Sequence, residues 1–133
     1  MDKIKIGTLN VNGLKESGKR KKILLLLLRR NLDIIFLTES HATISEILIY
    51  EKEWHELTSG SAIFAPTDNP ASGGVAFLFG HNYKKPDIKN KKITIQNRTL
   101  SSEIKINNKW HKIMVTYAPK CVNTKETFLW KNN

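Results

Sequence analysis

The sequence predicts an α/β protein that opens with a strand–helix–strand unit and continues as a run of strands. Three observations carry this expectation. Lys3 to Leu9 alternates, with Ile4, Ile6 and Thr8 on one side and Lys5, Gly7 and Leu9 on the other, the period of a strand. A leucine-rich stretch between Ser17 and Arg30 has the length of a helix. Leu32 to Thr38 is a short apolar run that suits a strand covered on both faces.

Taken in order, the first strand runs into Asn10-Val11-Asn12-Gly13, residues that tolerate the backbone angles of a tight turn. Ser17 is a candidate cap for a helix reaching about Arg30. The basic start of that helix opposes its dipole, so some other group must stabilise it. The helix is apolar nearly all round, which predicts burial against a sheet. After the second strand, Thr43 to Glu53 reads as a short helix capped by Thr43 or Ser45. The period then changes. Ser61 to Ala65, Gly74 to Phe79, Lys91 to Gln96, Leu100 to Ile106 and Trp110 to Tyr117 read as strands. Turn-like segments separate them, with Asn107-Asn108 marking a tight hairpin. After Pro119, Asn123 and Glu126 have the spacing of a capping box that starts another helix.

Composition narrows the class. The 133 residues suffice for one domain, 40% are hydrophobic and 26% charged, as in ordinary globular proteins. Ile23 to Leu28 is far shorter than the roughly 20 residues a membrane-spanning helix needs. Met1 to Lys5 lacks the apolar core of a signal peptide, so an intracellular location is expected. Cys121 is the single cysteine, which excludes an intrachain disulfide and a cysteine-based zinc site. The net charge of +10 favours a polyanionic partner, above all nucleic acid. The excess is mostly lysine, which acts as a point charge on phosphate more than as a base reader. Lys19-Arg20-Lys21-Lys22 and the lysines from 84 to 92 are the densest clusters, and each is equally explained as a solvated surface. Trp54, Trp110 and Trp130 suit packing or hairpin positions, with base stacking as the alternative.

Three polar residues fall at strand ends: Asn10, Glu39 and Tyr117. In open α/β sheets, sites gather at the C-terminal ends of strands. A carboxylate there suits a hard cation such as Mg²⁺, while an amide and a phenol can orient phosphate. Each also has a plainer account: an exposed carboxylate, a turn former, a half-buried strand aromatic.

The order of the short motifs resembles the endonuclease/exonuclease/phosphatase superfamily. Thr8 to Leu14 (TLNVNGL) resembles its opening strand–turn motif. Asp33 to His41 (DIIFLTESH) is similar to its second motif, which reads Q-E-T-H in many retrotransposon enzymes. Gly73 to Phe79 (GGVAFLF) and Val115 to Pro119 (VTYAP) resemble two later strands. The resemblance runs from Ile4 to about Phe128 and is strongest to the endonucleases of non-LTR retrotransposons.

The resemblance implies a Mg²⁺-dependent phosphodiesterase, or one using Mn²⁺, acting on DNA in the nucleus. It implies Glu39 as the metal carboxylate. Asn10 would touch the metal–phosphate centre or hold Glu39, Tyr117 would donate to phosphate, and Asn12 would support them. It implies the N-terminal half of a four-layer αββα sandwich, with residues 1–133 a partial domain ending after Y-A-P. The family's G-D-x-N and S-D-H motifs are absent, and none of the four histidines, His41, His55, His81 and His111, follows an aspartate. The expectation is therefore a fragment inactive alone, with an uncovered sheet face prone to self-association. Rival readings are a phosphatase of the same superfamily and a noncatalytic nucleic-acid-binding fragment or relic.

Overall fold

A computed structural model describes residues 3–94 and 98–118. The order is β1 (Ile6–Asn10), α1 (Ser17–Arg29), β2 (Ile34–Thr38), α2 (Ile44–Thr58), β3 (Ala62–Ala65), β4 (Val75–Phe79), β5 (Ile88–Thr94), β6 (Thr99–Ile106) and β7 (Lys109–Thr116). The fold class is the mixed helix–sheet class expected. The helix expected after Asn123 and the strand end expected at Gln96 lie outside the described residues.

The strands form two sheets. Sheet A has four strands in the order β1-β2-β4-β3, and sheet B has three in the order β5-β6-β7. β1 and β2 are parallel, joined through α1, while β4 runs antiparallel to both β2 and β3. The alternation read in the first strand decides which side chains face which layer. Ile35, Leu37, Ala76 and Leu78 point towards the helices and pack with Leu24, Leu27, Tyr50 and Trp54. Ile34, Val75, Phe77 and Phe79 point the other way and pack against Leu100, Ile104, Ile113 and Val115 of sheet B. All five residues of β4 are buried, as a central strand covered on both faces requires.

The layers are thus helices, sheet A and sheet B, three of the four expected, among the described residues. This corrects the expectation of an uncovered inner face. The chain builds its own second sheet, and β6 and β7 close over β2 and β4. The cover stops short of the edge strand β1, where Ile6 remains 51% exposed.

Local chemistry explains the helix limits. The cap of α1 is Glu16, not Ser17: its carboxylate accepts from the backbone N–H of Gly18 (2.9 Å) and Lys19 (2.6 Å). A negative charge at the N-terminus is what the basic first turn lacks. Those two N–H groups hold the Glu16 carboxyl below its usual range. In α2, the Glu46 carboxylate reaches back to the Thr43 N–H (3.1 Å) and hydroxyl (2.7 Å). That helix continues past Glu53 because Trp54 extends its buried stripe, and it ends where Ser59 turns left-handed at φ 63°. Trp54 donates its indole N–H to the Phe79 carbonyl at 2.9 Å, tying α2 to the end of β4.

Candidate active site

Asn10 closes β1 rather than opening the turn after it, and it pairs in register with Thr38 of β2. Glu39, the residue that follows β2, therefore lies beside Asn10 at the C-terminal end of both parallel strands. The Asn10 amide Nδ2 donates to Glu39 Oε2 at 2.6 Å. The Asn10 Oδ1 accepts the backbone N–H of Asn12 at 3.1 Å. The amide is used at both ends: its nitrogen orients the carboxylate and its oxygen holds the turn.

The backbone fixes Glu39 as firmly. The Gly13 N–H donates to the Glu39 carbonyl at 2.7 Å, so the turn after β1 continues the pairing beyond the strand. Glu39 and His41 both sit at positive φ, 54° and 55°, and Ser40 between them is fully buried. The Ser40 and His41 N–H groups donate to the carbonyls of Gly74 and Gly73. The pair Gly73-Gly74 is required there, because Gly74 has φ +84° and a Cβ on it would collide with Ser40 Oγ.

Tyr117 approaches from sheet B. It follows the end of β7, its N–H donates to the Arg98 carbonyl at 2.8 Å, and its ring packs on the inter-sheet core. Burial first, then the charge of the neighbouring Glu39 carboxylate, raise the phenol above its ordinary value. Asn12 lies in the exposed turn at φ 47°, and its carbonyl accepts from Lys19 Nζ at 2.8 Å. Asn10, Glu39 and Tyr117, read from sequence as candidates, thus come together, with Asn12 one step behind.

The sequence reading assigned no chemistry to His41. In the structure its Nε2 is buried without a hydrogen-bond partner, 4.0 Å from Glu39 Oε1. Its ring lies over Gly13, where an added Cβ would come within 2.8 Å of Nδ1. The signal in the sequence was the adjacency in T-E-S-H; what was missing is that two positive-φ residues turn the ring back onto the carboxylate.

The donor set decides how a cation fits. Glu39 is 23% exposed in its side chain, with Oε2 taken by Asn10 and Oε1 facing His41 beyond hydrogen-bond reach. Among the described residues, no three His, Cys, Asp or Glu side chains cluster as a metal cage. One carboxylate with open space suits a hydrated Mg²⁺ completed by water and phosphate oxygens. A separate open groove of about 480 Å³ lies between α1 and α2 beside Arg20 and Glu53.

No family model matches the chain, and no curated protein matches it in sequence. The fold does have a likeness among solved structures. The chain is similar to the crystal structure of the AP endonuclease LMAP from Leishmania major, with a TM-score of 0.65 and 15% sequence identity. The match covers 86% of this chain and 40% of that one, so this chain spans less than half the length of the protein it resembles. The likeness shows that the described residues adopt part of an AP-endonuclease-like fold. No helix among them is long and apolar enough to cross a membrane.

Proposed function

We propose that residues 1–133 are part of a Mg²⁺-dependent phosphodiesterase domain that nicks DNA, of the kind found in non-LTR retrotransposon endonucleases and working in the nucleus. The observation that carries the proposal is the meeting of Asn10, Glu39 and Tyr117 from the ends of β1, β2 and β7. Glu39 holds the cation, Mg²⁺ or Mn²⁺, through its carboxylate. Asn10 keeps that carboxylate in one orientation and thereby serves the metal without supplying it a strong ligand. Tyr117 donates its phenol O–H to a phosphate oxygen. Asn12 secures the Asn10 amide through its backbone N–H. A bound cation would neutralise phosphate charge and polarise the phosphorus–oxygen bond.

These residues position a phosphate, but they do not deprotonate a water or protonate a leaving oxygen. The G-D-x-N and S-D-H motifs that would do so are absent from the sequence. The proposal is therefore that the chain alone nicks DNA poorly or not at all. The test is relaxation of supercoiled plasmid in Mg²⁺, with EDTA and Glu39→Ala as controls. Robust nicking abolished by both controls would show that the chain is sufficient. Nicking indifferent to Glu39→Ala would remove the site from consideration.

The net charge of +10 supports a second reading, a noncatalytic nucleic-acid-binding protein. Glu39→Ala separates the two, because it removes cation-dependent chemistry and barely alters contact with a phosphate backbone.

A further inference from the structure

Among the described residues, sheet A carries both helices on its outer face, whereas the outer face of sheet B bears lysines and one exposed indole. Pairing register places Lys89, Glu103 and Lys112 side by side across the three strands. Lys105 pairs with Trp110, and Lys92 with Ser101, on the same face. The opposite face carries Leu100, Ile104, Ile113 and Val115, buried against sheet A. Four cations thus share the face with Glu103, which already accepts a hydrogen bond from the Asn90 amide. Among the described residues none of the four lysines is in an ion pair. Trp110 is 40% exposed, with Lys89 Nζ 4.0 Å and Lys105 Nζ 5.9 Å from its ring centre.

Gathering like charges on one sheet face costs free energy that a bound polyanion would relieve. Three strands give a flat platform roughly 10 Å wide. Among the described residues it has no protruding helix or ribbon to enter a duplex groove. A flat face that joins cations to an exposed aromatic ring suits a single strand, whose bases can lie on the ring while phosphates meet the lysines. Trp110 and Tyr117 mark opposite ends of β7 and opposite faces of the sheet, roughly 20 Å apart at about 3.3 Å per residue. The platform is thus separate from the strand-end site.

We propose that the outer face of sheet B binds single-stranded nucleic acid, with phosphates on Lys89, Lys92, Lys105 and Lys112 and a base stacked on Trp110. Stacking displaces Lys89 from the ring, and the ammonium finds a phosphate instead. Neither Glu39 nor a divalent cation takes part, so binding at this surface needs no phosphodiesterase activity.

The test titrates the whole chain, in EDTA, against a short labelled oligothymidylate over a range of salt. Replacing all four lysines with Gln should flatten the slope of log K against log salt by about 2 to 3, at roughly 0.7 for each single-strand phosphate no longer neutralised. The same charge change on α1 and its C-cap, at Lys21, Lys22, Arg29 and Arg30, should leave the slope nearly intact. Equal losses from the two sets would mean net charge alone binds, and the proposal falls. Trp110→Ala should weaken oligothymidylate binding about tenfold or more. It should leave inorganic polyphosphate, which has no bases, unaffected. An unchanged oligothymidylate affinity would overturn the stacking role, and a duplex bound as tightly as the single strand would overturn the choice of partner. Should the fourfold variant not fold, the pairs Lys89/Lys92 and Lys105/Lys112 are compared separately, each expected to give about half the change in slope.

Discussion

Replacing Arg20 with Met should destabilise the protein by about 3 kcal/mol, although it lies in a basic run that invites a reading as a phosphate contact or localisation signal. The side chain is 10% exposed and engaged throughout. Its Nε and Nη2 donate to the two oxygens of Glu53 at 2.8 and 2.7 Å. Its Nη1 donates to the carbonyls of Leu14 and Lys15 at 2.9 and 3.2 Å, and the guanidinium lies 4.7 Å from the centre of the Tyr50 ring. It therefore ties the segment after the Asn10–Gly13 turn to α2. Leaving the Leu14 carbonyl unsatisfied costs about 1–3 kcal/mol. Breaking a fully buried pair costs about 3–5 kcal/mol, but the 36% exposure of the Glu53 side chain lets water replace part of the interaction, leaving about 1–2 kcal/mol. The assay is urea unfolding followed by circular dichroism near neutral pH, on Arg20→Met, Glu53→Gln and the double variant. The two single effects together should exceed that of the double variant by about 1–2 kcal/mol of coupling. An Arg20→Met effect under about 0.5 kcal/mol, or coupling within the roughly 0.3 kcal/mol error of additivity, would refute the clamp.

Acid should loosen the same region. A hydrogen bond from Arg20 holds the Glu53 carboxyl below its ordinary value of 4.5, and the Thr43 hydroxyl and N–H do the same for Glu46. Their stabilisation is present above that ordinary value and is lost as pH falls from there through the depressed folded-state values. A urea midpoint measured against pH should drop on the acid side, and less steeply in Glu53→Gln. Gly74→Ala should cost about 3 kcal/mol, combining roughly 1–2 kcal/mol of left-handed strain with loss of the Ala42 N–H to Ser40 Oγ hydrogen bond. Gly74→Ala/Ser40→Gly should relieve the collision but not the strain, and a double variant as stable as the parent would contradict the backbone part of the argument.

Particular elements show where local chemistry sufficed and where it did not. β2 was legible as a buried strand because Leu32 to Thr38 is apolar without alternation, and residues of either parity are covered. The start of α1 was not, since Ser17 is a good cap by type, yet Glu16 adds a full charge where Lys19 to Lys22 needed one. β5 begins at Ile88, earlier than expected, because pairing with β6 through a bulge between Lys89 and Lys92 outweighs its charged composition. α2 runs past the expected end at Glu53 for a similar reason: the burial of Trp54 against sheet A comes from residues distant in sequence.

The candidate site divides along the same line. Sequence alone determined that Asn10, Glu39 and Tyr117 would stand at strand ends, because alternation and turn residues mark those ends locally. Only the tertiary structure decided that they meet. Parallel pairing sets Asn10 beside Glu39, and the closure of sheet B over sheet A brings Tyr117 to the same carboxylate. It also decided that the inner sheet face is covered, that Arg20 is a clamp, and that four lysines from three strands share one face with Trp110. Each of these depends on register or layer stacking, and interactions between residues far apart in the chain leave no periodic trace in a single sequence.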